Sequence, residues 1–579
     1  MSMNSAMDQL EWEFRSAIEA TGLIPGHHVE FVTPPPKITA DLSFPGFQAA
    51  RVAGMAPPAL AGALAAAIDL PPDSLIGEVA AAGPYLNASV HPLRFATAVL
   101  SDIEDRGARY GQDDLGAGHA IVVDYSSPNV AKRMHVGHIR STIIGQALVN
   151  ILSALGYRTI GDNHLGDWGK TFGVLLLGID HEGFPTGDGE ELLAALEELY
   201  ARTSARVATD PVADQAARDW SLRLEHGDVA ARTSWQRTVD LTLQANQPSY
   251  ARLGVGFDHT YGESFYEPLL PGVIADALAA GVAHRDEHGA VVVDLGGDLP
   301  SFLLQRSDGG TLYHTRDVAT IKFRVEAFQP TAILYVIGEP QSLYLRQLFA
   351  LARALGYAGA TELVHVAFGT VFDASGQPLS TRRGNMVYLE TLLDEATARS
   401  RTLVDQANLD LPGEERASIA EQIGIGGVIY NELAQDPRRN ITLDWDRMLA
   451  ADGNSAAYIQ YMHARCCSVL RKAVEHGAPA TTVADAPVAI THPSEIELVK
   501  HLAGLPGAVR SAGAEFAPGD IASWCYGTAR AFAAFYRDCQ ILAADSPESR
   551  HFRLRLTAAT AQALRNGLRL LGIAAPERM

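Results

Sequence analysis

One stretch of the chain constrains the fold more than any other. AIVVDY (120–125) is a short apolar, β-rich run typical of a buried parallel strand. The segment SSPNVAKRMHVGHIRS (126–141) follows it, and apolar residues then recur at helical spacing through 138–157, as Ile139, Ile143 and Ile151 illustrate. A strand that passes directly into a helix indicates an α/β sheet, which binds ligands at the carboxyl ends of its strands. We therefore expect a binding site immediately after residue 125.

The rest of the chain extends this pattern into several domains. Further strand-like runs separated by helical stretches are RTIGDNHLGDWG, AVVVDL (290–295), TAILYVIG (331–338) and LVHVAFG (363–369). They predict a multidomain α/β plus α protein with a doubly wound, parallel Rossmann-type sheet. The predicted units are a small α+β N-terminal domain (1–110), the Rossmann-type domain (111–390) with a helical insertion at about 182–250, a helical connecting region (391–450) and a C-terminal α-helical bundle (451–579).

The N-terminal region begins with a helical pattern. Leu10, Phe14, Ala17 and Ile18 share one face of it, and the proline-rich stretch FVTPPPKITADLSFPGF follows. Alanine-rich helical segments come next and are interrupted by strand-like runs. These signals predict a small appended α+β domain.

Composition excludes several classes of protein. The chain contains no run of about 18 apolar residues, so no membrane span is expected. The acidic first twenty residues argue against a secretory signal. The four cysteines form no C-x-x-C pair, so neither a structural zinc site nor a disulfide framework is expected. A cytoplasmic location with no membrane partner fits. The formal net charge of −21 argues against nucleic acid, although phosphates respond to the local field.

The segment after the first strand suits a nucleotide. His135 and His138 are three residues apart and can share the first helical turn, while Gly137 between them leaves the backbone open to close approach. A helix N-terminus also attracts polyphosphate. Later, LSTRRGN (379–385) offers two hydroxyls and two guanidiniums that can surround a triphosphate. We expect a nucleoside triphosphate to bind at His135, Gly137, His138, Gly338 and Ser380.

Taken together, these segments resemble the paired signatures of class I aminoacyl-tRNA synthetases, and of arginyl-tRNA synthetases in particular. That family's pattern S-[SA]-P-N-x-A-K-x-x-H-x-G-H-x-R-S-T-x-x-G is reproduced at 126–145. Further similar motifs are GDNHLGDWGKTFG (161–173), GESFYEP (262–268), SDGGTLYHTRDVA (307–319), QYMHAR (460–465) and the terminal LLGIAAPERM. The resemblance runs from about residue 110 to the last residue.

Two departures from the family pattern matter. The family's K-M-S-[KT]-[SR] loop reads Pro378-Leu379-Ser380-Thr381-Arg382, so both lysine positions are empty. In the family, a lysine just before the first histidine motif is thought to supply that charge. Lys132 stands at this position, although only six of the 46 basic residues are lysines. The second departure is Tyr344, where the family commonly has histidine.

The resemblance also implies which residues bind arginine. A guanidinium is a planar, permanently charged fork, best held by a carboxylate with fixed acceptors. Asp317 is the expected guanidinium partner, assisted by Tyr313, one helical turn away, and by Gln341. Asp124 and Asn129 are expected to hold the α-amino and carboxyl end.

The implied activity is that of an arginine–tRNA ligase: ATP-dependent joining of L-arginine to tRNA(Arg) through arginyl-adenylate, with release of AMP and pyrophosphate. The expected catalytic residues are Lys132, His135, His138, Ser380, Thr381 and Arg382. ATP with Mg²⁺ is the expected cofactor, and the enzyme is expected to be a monomer. In the C-terminal bundle, which looks like the family's anticodon-binding domain, the candidate tRNA contacts are Tyr458, Tyr461, His463 and Arg465.

Two alternatives remain open from the sequence. One is a paralogue that activates arginine, or a related amino acid, for a small-molecule pathway or as a drug-insensitive duplicate. The other is a non-catalytic protein that binds tRNA or arginine. The intact His135, His138 and Lys132 argue against a non-catalytic protein, and the C-terminal bundle argues against an enzyme that never meets tRNA.

Overall fold

The N-terminal residues form a small α+β unit. The computed structural model describes residues 5–24, 29–32, 34, 38, 40–187, 189–373, 375–377, 379, 387–407, 410–477 and 490–579. The elements of this unit are helix α1 (Ala6–Ala20), strand β1 (Leu42–Pro45), helices α2 (Phe47–Ala53) and α3 (Pro57–Ala67), strands β2 (Ile76–Ala82) and β3 (Tyr85–Val90), and helix α4 (Pro92–Arg106). The antiparallel sheet has the order β1-β3-β2. Helix α1 buries Leu10, Phe14 and Ile18, the stripe that the sequence predicts.

The central unit contains the predicted parallel sheet. Its elements are β4 (Ala120–Asp124), α5 (Val136–Ala154), β5 (Arg158–Asp162), α6 (Lys170–Glu182), α7 (Gly189–Thr209), α8 (Pro211–Glu225), α9 (Val229–Leu253), α10 (Leu270–Ala279), β6 (Ala283–Arg285), β7 (Val291–Val293), β8 (Phe302–Gln305), α11 (Tyr313–Phe328), β9 (Ala332–Gly338), α12 (Ser342–Ala354), β10 (Glu362–Phe368) and β11 (Val371–Phe372). Four strands pair in parallel in the order β10-β9-β4-β5. The chain leaves β4 toward β5 and later returns to β4's other side with β9. A crevice opens at such a switch point, outside the carboxyl ends of the strands.

One strand prediction needs correction. The AVVVDL run at 290–295 does form β7, but β7 pairs antiparallel with β6 and β8 in a separate three-stranded sheet. A short apolar run occurs in both kinds of sheet. A parallel strand commonly buries successive side chains and an antiparallel strand buries alternate ones, and β-branched residues suit both. This small sheet covers one side of α10 and α11 rather than extending the parallel sheet.

The predicted helical insertion is present as α7, α8 and α9. These helices pack against α6 through a core of their own. Helix α7 also reaches the segment that precedes α5: Arg133 Nε donates to Glu197 Oε2 at 3.0 Å. The insertion therefore forms one wall beside the histidine motif.

The C-terminal part is helical, as predicted. Its elements are α13 (Leu389–Ala407), α14 (Gly413–Leu433), the short strand β12 (Ile441–Thr442), α15 (Trp445–Met448), α16 (Ala456–Glu475), α17 (Pro493–Ala503), α18 (Leu505–Ala514), α19 (Gly519–Asp538) and α20 (Pro547–Leu570). The N-terminal domain docks here, where Arg510 Nη1 donates to Asp8 Oδ1 at 2.6 Å and Arg555 binds Glu104 at 2.7 Å. Among the described residues, no helix combines the length and apolar character needed to cross a membrane.

Candidate active site

A cavity of about 520 Å³ opens at the carboxyl ends of β4 and β9. Nine of the residues predicted from the sequence line it: Asp124, Asn129, His135, Gly137, His138, Tyr313, Asp317, Gly338 and Gln341. The predicted Ser380, Thr381 and Arg382 lie outside the described residues. The parallel register explains the convergence, because Asp124 pairs with Tyr335 and both lie where their strands end.

The two motif histidines cap helix α5. His135 is the N-cap residue, and its Nδ1 accepts a hydrogen bond from the Gly137 N–H at 3.1 Å. The Nδ1 of His138 accepts from the backbone N–H of His135 at 3.2 Å. Burial lowers the pKa of both imidazoles, and that of His138 falls to about 3. A neutral imidazole that accepts at Nδ1 carries its proton on Nε2, so each ring keeps one N–H donor for a ligand oxygen.

The glycine at position 137 has a structural role besides leaving the backbone open to a ligand. A Cβ added at this position would lie 2.8 Å from Cε1 of His135. Any larger residue would therefore push the His135 ring away from the N-terminus of α5. The motif glycine keeps the first histidine in its capping position, and the two rings lie with centroids 4.1 Å apart.

Lys132 lies beside the histidine pair. Its charge contributes to lowering the pKa of His135, after the larger effect of burial. The ammonium nitrogen sits 5.1 Å from the ring centroid of Tyr200 on insertion helix α7. An aromatic face attracts a cation electrostatically, so the insertion helps to hold Lys132 near the first turn of α5.

A fully buried arginine lies beneath the other end of the cavity. Arg324 on α11 is 0% exposed, and its Nη2 lies 2.8 Å from both Asp124 Oδ2 and Asp162 Oδ2. Asp124 and Asp162 end the adjacent strands β4 and β5. Two carboxylates this close repel each other, and Arg324 compensates both. Asp124 therefore reaches the cavity already held by an internal ion pair.

Asp317 also has internal partners. Its Oδ1 lies 3.4 Å from His164 Nε2, and its Oδ2 accepts a hydrogen bond from the Tyr344 hydroxyl. Tyr344, the departure from the family pattern, thus contacts the predicted guanidinium ligand directly. Burial tends to raise the pKa of Asp317, but the contacts with His164 and Tyr344 outweigh this effect and lower it. The carboxylate is therefore charged at neutral pH.

Several cavity residues escaped prediction as site residues. His164 lies in the loop after β5, and Glu263, almost one hundred residues later, begins a 3-10 helix (Glu263–Leu269). The Glu263 N–H donates to Leu165 O at 3.0 Å. Glu263 pairs with Arg316 at 2.7 Å, and burial raises its pKa to about 7. Both residues belong to motifs that stand out in the sequence, GDNHLGDWG and GESFYEP. These motifs are the sequence signal from which the two residues could have been predicted. These two motifs also bind each other, since Ser264 Oγ donates to Asp167 Oδ2 at 2.6 Å.

Helix α5 is tied to the C-terminal part by a second buried arginine. Arg140 Nη1 donates at 2.9 Å to the carbonyl oxygens of Gly369 and Arg439, and its Nε lies 3.0 Å from Glu432 Oε2 on α14. A Cβ at Gly369 would meet Arg439 O at 2.6 Å, so only glycine permits this close approach. The histidine helix, the end of β10 and the connecting region thus meet at one side chain.

A second cavity, of about 830 Å³, lies in the C-terminal bundle. We call it the bundle pocket. Its lining residues include Tyr461, Arg465, Arg471, Lys472, Tyr536 and Arg578. Four of its lining side chains are basic, and no acidic side chain lines it within the described part of the chain. The guanidinium of Arg465 lies 4.5 Å from the Tyr461 ring and 5.0 Å from the Tyr536 ring.

Not all four predicted tRNA contacts belong to this pocket. Tyr461 and Arg465 line it, whereas Tyr458 packs against Tyr526 with ring centroids 5.9 Å apart. His463 is a correction: its side chain is 0% exposed, and its Nδ1 lies 2.9 Å from Pro576 O. The chain's last residues cover this side of α16, so His463 holds the C-terminal segment and cannot contact RNA on the surface.

Comparison with known proteins identifies the family in which these domains and motifs occur together. The family model for the catalytic domain of class I tRNA synthetases (R) matches residues 100–445. The arginine–tRNA ligase of Chloroflexus aggregans is 59% identical over 100% of this chain and 100% of its own length. The chain belongs to the arginyl-tRNA synthetase family. The family's N-terminal domain matches residues 8–90, and the DALR anticodon-binding domain matches residues 459–579.

Relatives and solved structures extend this assignment to the family over the whole chain. The arginine–tRNA ligase of Lactococcus lactis is 36% identical over 93% of each chain. The solved arginyl-tRNA synthetase of Thermus thermophilus superposes with a TM-score of 0.79 at 25% identity, over 98% of this chain and 99% of that one. The Plasmodium falciparum enzyme gives 0.80 at 21% identity, over 99% of both chains, and supports the fold. The predicted fold class is confirmed.

Proposed function

We propose that this protein is an arginine–tRNA ligase that joins L-arginine to tRNA(Arg) at the expense of ATP. The observation that carries the proposal is the division of the cavity into two chemically different ends. One end holds the charged carboxylate of Asp317, and the other holds the His135–His138 pair at the N-terminus of α5. A cationic amino-acid side chain suits the first end, and a polyphosphate suits the second.

The first step forms arginyl-adenylate. A carboxylate oxygen of arginine attacks the α-phosphorus of ATP, the bond to the bridging oxygen breaks, and pyrophosphate leaves with the electron pair. This reaction requires no protein nucleophile. The Nε2–H groups of His135 and His138 and the N-terminus of α5 donate to phosphate and ribose oxygens, and the ammonium of Lys132 stabilises the charge on the leaving pyrophosphate. Ser380, Thr381 and Arg382 belong to the same proposal by family resemblance.

The second step transfers the arginyl group to tRNA. A terminal ribose hydroxyl, the 2′-hydroxyl in class I enzymes, attacks the carbonyl carbon of the adenylate. The bond between that carbon and the phosphate oxygen breaks, AMP leaves, and the hydroxyl proton passes to solvent. Orientation of the two reactants in the cavity accounts for much of the rate.

Substrate choice depends on the anionic end of the cavity. Asp317 pairs with the guanidinium, and the hydroxyl of Tyr313 and the amide of Gln341 complete the contacts around it. Asp124 and Asn129 hold the α-amino and carboxyl groups. Asp124 suits this role because Arg324 and the Ser127 hydroxyl, 3.1 Å from Oδ1, keep it in one orientation. A neutral side chain in place of the guanidinium leaves Asp317 without a matched partner, which costs affinity.

Mg²⁺ is proposed as the companion of ATP rather than as a resident of the protein. Among the described residues, no group of three or more His, Cys, Asp or Glu side chains could hold a metal ion. Mg²⁺ commonly keeps several waters and binds mainly through the phosphates of its nucleotide. When bound, it would supply positive charge to the phosphate oxygens.

The bundle pocket is proposed as a tRNA site, with Tyr461 and Arg465 as contacts. Its four basic side chains offer a local positive surface in a chain whose net charge is −21. Aromatic and guanidinium faces can stack with splayed single-stranded bases, as RNA-binding proteins commonly do. The N-terminal domain is proposed as a further tRNA contact, on family resemblance.

We infer that the enzyme acts in the cytoplasm, because all four of its cysteines are unpaired and buried, which suits a reducing compartment. A monomer is proposed on family resemblance and is tested by sedimentation velocity.

The decisive experiment is aminoacylation of bulk tRNA with each of the twenty labelled amino acids in turn. We expect ATP-dependent charging with arginine and only background charging with the other nineteen. Adenylate formation without transfer to any tRNA would instead support an arginine-activating paralogue. Binding of tRNA with neither reaction would indicate a non-catalytic protein.

A further inference from the structure

Each carboxylate oxygen of Asp317 already lies beside an internal partner in this structure. Oδ1 lies 3.4 Å from His164 Nε2, and Oδ2 accepts from the Tyr344 hydroxyl. The side chains of His164 and Asp317 are 14% and 21% exposed, and both line the cavity. Each oxygen can accept more than one hydrogen bond, so a guanidinium that pairs with Asp317 through two N–H groups would lie close to both partners.

His164 is the partner that conflicts most with a bound guanidinium. Tyr344 is a neutral donor, whereas a protonated His164 places a second cation beside the same carboxylate. Two cations a few ångströms apart in a partly buried cavity repel strongly. Building on the proposed function, we infer that His164 is the counter-cation of Asp317 before the amino acid binds, and that arginine replaces it and expels its proton.

Other charged groups surround His164 on every side. Asp167 follows it in the same loop, Glu263 and the ring of Tyr266 approach from the segment 263–269, and Asp124 and the buried Arg324 lie beneath. Glu263 and Asp124 have cationic partners of their own, Arg316 at 2.7 Å and Arg324 at 2.8 Å. In contrast, among the described residues, His164 is the side-chain cation that lies within ion-pair distance of Asp317. The charge of Arg316 also acts on Asp317, but Arg316 is paired with Glu263.

The electrostatics of the pair support this exchange. Burial alone would lower the pKa of His164, but the adjacent carboxylate of Asp317 outweighs this effect and raises the pKa to about 9. Once a guanidinium neutralises Asp317, burial remains and a new positive charge is added, so the His164 pKa falls. Between that lower value and about 9, free protein binds a proton that the complex does not. Arginine affinity therefore increases with pH across this window.

The test is calorimetric titration of the full-length protein with L-arginine at pH 8. Binding enthalpies are measured in buffers of different ionisation enthalpy, and the slope gives the protons released. We expect release of about one proton per arginine, and a Kd that falls up to about tenfold from pH 7 to pH 8. L-citrulline, which shares the α-amino group and lacks the charge, controls for titration of the ligand's backbone end and should release much less.

His164→Asn removes the titrating group and should abolish most of the release while arginine still binds. Glu263→Gln is the matched control, because the pKa of Glu263 is raised to about 7 by burial and this group could also lose a proton near neutrality. At pH 8 the E263Q variant should release as much as wild type. Release below about 0.3 proton in wild type, or loss of release in E263Q but not H164N, overturns the inference.

This outcome is separable from failure of the proposed function. If wild-type protein binds no arginine, the assignment of the substrate is wrong. If it binds arginine and charges tRNA without releasing a proton, only the role of His164 is wrong. The wild-type measurement does not depend on either variant folding, so the inference stays falsifiable if H164N is unstable.

Discussion

The catalytic cavity and the bundle pocket differ in whether their charged side chains are paired with opposite charges. In the cavity, carboxylates that approach the ligand have cationic partners: Asp124 with Arg324, Glu263 with Arg316, and Asp317 with His164. In the bundle pocket, four basic side chains line an open surface without an acidic side chain among the described lining residues. A small cationic substrate needs carboxylates held in place before it arrives. RNA needs accessible positive charge, whose contribution depends on salt.

The largest effect should follow from removing the buried cation Arg324 from the catalytic cavity. Arg324→Met leaves Asp124 and Asp162 without their shared cation. Removing one partner of a buried ion pair costs about 3–5 kcal/mol, so the free energy of unfolding should fall by that amount. Urea unfolding monitored by far-UV circular dichroism measures it, and KM for arginine should also rise because Asp124 loses its support.

A matched control is Arg346→Met. Arg346 pairs with Asp298 on the surface, where the two side chains are 55% and 80% exposed. An exposed pair contributes about 0–1 kcal/mol, so this variant should unfold close to wild type. Equal destabilisation by both substitutions would mean that the cavity's ion pairs are no more tightly coupled to the fold than surface pairs are.

Asp317→Asn sharpens the comparison at the point where substrate replaces an internal partner. The variant keeps the shape of the side chain and removes its charge. Loss of a charge-assisted, partly desolvated contact should cost about 2–5 kcal/mol, seen mainly as a higher KM for arginine. KM for ATP should stay near the wild-type value, because the histidine pair lies at the other end of the cavity.

Citrulline provides the control for Asp317. As a neutral isostere, it should lose much less than arginine on going from wild type to Asp317→Asn, as measured by competition in the charging assay. A variant that loses arginine and ATP affinity equally, or that unfolds, would show that Asp317 is a structural acid. Specificity would then depend on Gln341 and Asp124.

Lys132→Ala tests the cationic group of the cavity's nucleotide end. Loss of one contact to charge that develops in the transition state costs roughly 2.7–4 kcal/mol, or about 10²–10³ in kcat. KM for arginine should change far less. Aminoacylation kinetics with saturating tRNA measure both constants, and a fall in kcat of less than about threefold would show that the arginines at 382 and 383 suffice.

The sequence predicted the elements that are built from contiguous residues. Strand β4, helix α5 and the capping pair His135 and His138 lie within 35 residues, and local pattern determines their geometry. The spacing of Tyr313 and Asp317 was likewise predictable, because four residues make one helical turn. Asp317 was predicted as a ligand without its partners, since His164 and Tyr344 reach it from other elements.

The errors come from long-range packing. His463 lies on a helix with an amphipathic pattern, and nothing local indicates that the chain's last residues, more than one hundred positions away, cover it. The run at 290–295 has the composition of a parallel strand, but its partners in the antiparallel sheet are set by the hairpin with β6 and β8. Periodicity shows which face of an element is buried and does not identify its neighbour.

The smallest effect is expected when one exposed charge is removed from the bundle pocket. Lys472 is an exposed residue of α16 that lines this pocket. If Lys472 contacts an RNA phosphate, Lys472→Ala should weaken tRNA binding modestly and reduce the slope of log(kcat/KM) for tRNA against log[salt] by about 0.7–1. The KM for arginine at saturating tRNA should not change, because the pocket lies in the bundle and not in the catalytic cavity. Lys322→Ala is the control: Lys322 lies on the catalytic domain, 3.5 Å from Asp276, and its removal alters net charge equally. An identical reduction in slope for both variants would mean that tRNA responds to the overall field of the protein rather than to the bundle pocket.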